Sequence, residues 1–123
     1  MTYIEKERDL KARCYKFSLL IISLVDDLQK DMSSQVMARQ VLRSATSIGA
    51  NIIEAQASPT RKDFALYITH SLKSANETAY WLKLLRDSGK MAPDKINAVI
   101  LECDELARIL GASLVTMKTN SEN

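Results

Sequence analysis

Four long stretches of this chain place apolar residues at alternating steps of four and three, and only short breaks separate them. That spacing follows the 3.6-residue turn of a helix buried along one side. The first stretch, about residues 3–30, carries Leu10, Cys14, Phe17, Ile21, Leu24 and Leu28. The second, about 34–57, carries Ala38, Val41, Ala45, Ile48, Ile52 and Ala55; the third, about 61–88, Phe64, Ile68, Ser71, Ala75, Thr78, Leu82 and Leu85. The fourth, about 93–117, has Ile96, Val99, Cys103, Leu106, Leu110 and Met117. Three Gly and two Pro are too few to punctuate an all-β chain. Amphipathic helices joined by connections of a few residues predict an all-α fold, an antiparallel up-down-up-down four-helix bundle in one domain spanning residues 1–123.

The breaks carry their own chemistry. Ser33 or Ser34 offers a hydroxyl to cap the second helix. Pro59 cannot continue that helix, and Thr60 followed by Asp63 resembles a capping box for the third. Gly89 suits a left-handed helix stop and Pro93 a first helical position. Gly49, within the small-residue stripe of the second helix, predicts close helix approach despite costing about 1 kcal/mol against Ala. In the first helix the stripe fails before Leu10, because Glu7 falls where it would continue. The tail TNSEN is expected to fray.

With 17 Lys and Arg against 15 Asp and Glu, the formal net charge is +2. No global field then draws phosphate or lipid, so nucleic-acid binding would need a local patch. Cys14 and Cys103 sit far apart within apolar stripes and are expected to be buried, reduced thiols. MTYIEKERDL lacks a signal-peptide core, and the apolar run from Phe17 to Val25 is shorter than the ~20 residues of a membrane span. These features predict a cytoplasmic protein without membrane contact.

The least ordinary residues lie between Arg43 and Phe64. Ser47, Asn51 and Glu54 recur at helical spacing beside the core stripe, and an antiparallel third helix would bring Ser71, Ser74, Glu77 and Thr78 to meet them. Arg43 can offer its fork to Glu77 or Glu54. We expect a structural polar seam of Arg43, Ser47, Asn51, Glu54, Ser74 and Glu77 that fixes helix register or a subunit contact, with a small-ligand pocket as the alternative. One histidine, His70, and no Glu-x-x-His pair exclude a ferritin-like metal site. No G-x-S-x-G elbow or Gly-rich phosphate loop is present, so neither a catalytic residue nor a cofactor is expected. Lys6, Arg8, Lys11, Arg13 and Lys16, with Arg61 and Lys62 at the central turn, are the candidate nucleic-acid contacts; repetition around a ring would strengthen so modest a patch. Tyr67 and Trp81 share a further face of the third helix, either more core or a subunit interface.

The segments SIGANIIEA, SPTRKDF and SLKSANETAYWLKLLRDSG resemble the family called four helix bundle protein, known also from intervening sequences of large-subunit ribosomal RNA genes. The likeness runs from Ser34 to Gly89; the outer helices match in pattern only. It implies a cytoplasmic bacterial homo-oligomer, typically a pentameric ring, with no assigned activity in most members. One branch resembles the accessory proteins of diversity-generating retroelements, whose basic barrel binds RNA and a reverse transcriptase. This chain departs from that branch in being nearly neutral, and it has Ala55 and Ser58 where many members carry Gly and Arg. The expectation is a non-enzymatic homo-oligomeric scaffold contacting RNA, DNA or a nucleic-acid-handling protein. The alternative is a protein-only interaction module or a ring holding a small ligand.

Overall fold

The computed structural model describes the backbone of residues 3–122 and the side chains of residues 9–118. Its elements are α1 (Tyr3–Asp26), α2 (Met32–Gln56), α3 (Arg61–Asp87) and α4 (Pro93–Glu122), with no strand among the described residues. Each helix packs on its neighbour in sequence, and α4 closes the set against α1. The α2–α3 pair is the most intimate and the α1–α4 pair the loosest. Direction follows from cross-helix bonds. Ser71 meets Ile48 and Thr78 meets Ser44, so α3 ascends as α2 descends. Arg86 meets Asn97 and Cys103 meets Ala75, which reverses α4 against α3. The bundle is therefore up-down-up-down, as the short connections require.

One buried cluster draws on all four helices, and its members are the stripe residues, from Cys14, Phe17 and Ile21 through Val41, Ile48 and Leu82 to Leu106 and Leu110. Gly49 has the role its position implies. A Cβ there would stand 3.3 Å from the Cys14 Cβ, so the missing side chain is what lets α1 lie close to α2. The caps agree with local chemistry too. Thr60 Oγ1 accepts from the Asp63 amide at 3.1 Å. Gly89, at φ 77°, closes α3 with the paired bonds of a Schellman motif, Lys90 N–H to Leu85 carbonyl and Gly89 N–H to Arg86 carbonyl.

Three boundaries differ from expectation. α1 stops at Asp26, because the next amides tighten onto carbonyls three residues back (Asp27 to Leu24, Leu28 to Val25); Leu28 still reaches the core. α4 continues to Glu122, past Met117 and into the tail expected to fray. The N-cap of α2 is Asp31 rather than Ser33 or Ser34; Ser34 is fully buried, and Ser33 donates to the Asp31 carboxylate.

Asp31 makes no capping bond. Its Oδ2 instead accepts from Lys90 Nζ at 2.7 Å, tying the α1–α2 connection to the α3–α4 connection at one end of the bundle. The Lys90 ammonium, aided by the Ser34 and Ser33 hydroxyls, holds the Asp31 carboxyl well below the usual carboxylate range. A folded-state pKa lowered in this way stabilises the protein above the unfolded carboxylate value, about 4, and the gain fades as pH falls toward the folded value. Replacing Lys90→Met should therefore lower Tm at neutral pH, and the gap between variant and parent should narrow as thermal melts move below about pH 4. A gap that stays constant down to pH ~2 would show that Lys90 acts through packing alone.

Candidate functional site

The polar seam exists between α2 and α3 as a ladder of hydroxyls. Ser71 Oγ donates to the Ile48 carbonyl at 2.8 Å. Thr78 Oγ1 and Ser44 Oγ share a hydrogen bond at 2.8 Å; Thr78 Oγ1 also lies 2.7 Å from the Ser74 carbonyl, and Ser44 Oγ 3.3 Å from the Val41 carbonyl. Nearer the surface, Ser74 Oγ and Asn51 Nδ2 both donate to Ser47 Oγ, at 3.1 and 3.0 Å. Asn51 also reaches the Ser47 carbonyl. Ser44, Ser71 and Thr78 are fully buried, so each rung satisfies a group that would otherwise cost about 1–3 kcal/mol.

Three seam residues stand apart from the interior. Arg43 Nη2 donates to Glu77 Oε1 at 2.6 Å and to Gln40, but these side chains are 56% and 39% exposed. The pair sits on the solvent edge, not in a core-adjacent position, so no burial penalty arises for it. Glu54 is exposed, and the structure does not bring its side chain to the ladder; only its carbonyl takes part locally, accepting from Ser58. Ser44, one of the buried rungs, is the member that sequence reasoning missed. Its signal was available, three residues before Ser47 on the flank facing α3.

The candidate nucleic-acid contacts divide similarly. Lys11 and Lys16 are exposed on α1, and Arg61 and Lys62 at the start of α3. The side chains of Lys6 and Arg8 lie outside the described residues. Arg13 is corrected: its guanidinium forks onto Glu102 of α4, Nε to Oε2 at 3.0 Å and Nη2 to Oε1 at 2.7 Å, and that carboxylate raises its pKa. The fork cross-links α1 to α4 and takes up part of the guanidinium's donor capacity.

Tyr67 and Trp81 are half-buried against the core cluster, each edge-on to a neighbouring ring, Tyr67 to His70 and Trp81 to Tyr80. Trp81 Nε1 is shielded without a hydrogen-bond partner among the described residues. Both thiols are free and fully buried, and burial pushes each up to about 12, which leaves almost no thiolate at neutral pH. Among the described residues no His, Cys, Asp and Glu gather into a group able to hold a metal, and no helix is long and apolar enough to cross a membrane.

Two surface features remain. Tyr15, Leu19 and Ile22 share one face of α1 at 66%, 52% and 43% exposure. Tyr15 also lines a groove of about 550 Å³ with Lys11, Lys16, Thr46, Ala50 and Ile53. A second, larger cleft opens at the end of the bundle that holds the α2–α3 turn.

An α-helical bundle whose inner polar row serves packing is the class of protein that this geometry defines. Residues 6–112 match the family described as 23S rRNA-intervening sequence protein, and the chain belongs to that family. It is similar to a crystal structure of a protein of unknown function from the S23 ribosomal protein family of Bacteroides thetaiotaomicron, 34% identical, covering 89% of this chain and 97% of that one at a TM-score of 0.83. No curated protein matches.

The buried and exposed parts of the seam should separate on mutation. Thr78→Val should destabilise the fold by about 1–2 kcal/mol in chemical denaturation, while Glu77→Gln should cost under about 1 kcal/mol. The double variant Ser44→Ala/Thr78→Val should lose less than the two single losses combined. A Glu77→Gln loss as large as that of Thr78→Val would mean that the surface pair, not the hydroxyl ladder, sets the register.

Proposed function

We propose that the protein is a non-enzymatic, cytoplasmic, homo-oligomeric scaffold, expected as a pentameric ring, that contacts RNA or a nucleic-acid-handling protein through repeated surface patches. One observation carries this reading: the outward face of α1 holds Tyr15, Leu19 and Ile22, and Tyr15 shares a groove with the α2 residue Ile53 and with Lys11 and Lys16. Large apolar side chains gathered on an outer helix face mark a surface that another chain covers. Heterologous copies that close a ring would repeat the lysines around it, so a modest local charge would meet a phosphate backbone several times. The family's description as an intervening-sequence protein of 23S rRNA supports a setting near nucleic acid. Inert thiols and the lack of a metal-binding group among the described residues give no support to a catalytic reading.

Light scattering on the full chain should return a multiple of 13.8 kDa, and Leu19→Glu with Ile53→Glu should lower that mass while helical content persists. A monomeric parent would sink the ring. Fluorescence polarisation with a structured RNA should show binding that weakens with salt, and Lys11→Glu with Lys16→Glu should flatten the slope by about one for each phosphate that is no longer neutralised. No salt-sensitive binding at low ionic strength would leave the protein-only module as the surviving reading.

A further inference from the structure

The apolar lining of the bundle is uneven along its length. On α1 the stripe ends at Leu10, since the sequence has Glu7 where the next residue would fall, yet α2, α3 and α4 continue it with Ile52, Phe64, Ile68 and Ile109. Together with Leu10 of α1 these residues form an apolar wall drawn from all four helices, where the α1–α4 contact is the loosest. The result is a cleft of about 900 Å³ at the α2–α3 turn, near the upper end of the ~300–1,000 Å³ typical of small-molecule sites.

Of the charged residues that line it, Arg13 and Arg108 are ion-paired, whereas Asp9 and Arg61 have no ion pair among the described residues. Arg13 is forked onto Glu102 and also feels Asp9, and Arg108 is held by Glu105. Arg61, at the first turn of α3, has no carboxylate partner among the described residues; it makes one long bond, 3.4 Å, to the Met117 carbonyl. An aliphatic wall with one uncommitted guanidinium at its mouth is complementary to an aliphatic chain ending in a single negative charge.

We propose that the cleft binds a free long-chain carboxylate, its acyl chain against Leu10, Ile52, Phe64, Ile68 and Ile109 and its head group on Arg61. The site is independent of the nucleic-acid reading.

The test uses the full chain stripped of lipid, titrated with dansyl-undecanoic acid and then competed with oleate below its aggregation limit. Saturable binding at one site per chain is expected. Ala112→Trp, at an exposed position on the wall, should abolish it, and Thr116→Trp is the second blocking variant should the first fail to fold. Arg61→Gln should weaken oleate about tenfold while leaving oleyl alcohol unchanged, as removal of one charge-assisted bond predicts. Several results would overturn the proposal: no saturable binding; full binding in a folded blocked variant; equal loss for oleate and the alcohol; or binding to oleate-containing phosphatidylcholine vesicles alone. A drop in solution mass on Ala112→Trp, with no oleate binding by the parent, would assign the cleft to a second copy instead.

Discussion

A hydroxyl shut between two helices must find its partner across the gap, and that requirement governs the α2–α3 pair. Ser44, Ser71 and Thr78 are fully buried, and their bonds run from one helix to the other or back onto the helix that carries them. Sliding α3 by one turn, about 5.4 Å, would break the cross-helix rungs together and strand groups that have no water to turn to. Larger apolar residues would be more forgiving, because dispersion and burial have no direction. The small hydroxyl side chains also let the helices approach closely, so tight packing and fixed register have the same cause.

The rest of the bundle grades away from this seam. α4 is held to α3 by apolar stripes and by the Cys103 thiol donating to the Ala75 carbonyl at 3.2 Å. α1 is held to α2 through the Gly49 approach, and to α4 through the shared apolar cluster and the Arg13–Glu102 fork, whose side chains are about one-third exposed. Packing is therefore strongest in the middle of the sequence and weakest where the first and last helices meet. The end cleft opens on that weak side.

Much of this was legible in the sequence wherever a pattern is local. Helical periods, the Thr60 cap, the Gly89 stop and the Ser47–Asn51 pair follow from spacings within one or two turns, and the short α2–α3 connection then sets Ser74 opposite Ser47. What stayed hidden depends on rotation and on distant partners. Glu54 lies seven residues after Ser47 and so on nearly the same flank, yet its side chain is exposed, because the α3 hydroxyls that cross to α2 end at Ser71 and none reaches it. Arg13 reads as one basic residue among several because nothing near it announces a carboxylate 89 positions away. Ser33 and Ser34 are good capping types, but Asp31 precedes them and the Lys90 ammonium draws its side chain to the other connection.

The distribution of ion pairs bears on what the outer surface can recognise. Arg13, Arg43, Arg86 and Arg108 each face a carboxylate, whereas Lys11, Lys16 and Lys62 have no ion pair among the described residues. Guanidinium forks suit bidentate, geometrically defined contacts, and here they serve the bundle itself; the cations left outside are mostly flexible, strongly hydrated point charges. Lysine contacts to a phosphate backbone are sensitive to salt and indifferent to base identity. On the scaffold reading, sequence choice would then have to come from the shape of the assembled ring or from the partner protein, because the exposed cations of one subunit carry too little geometry to supply it.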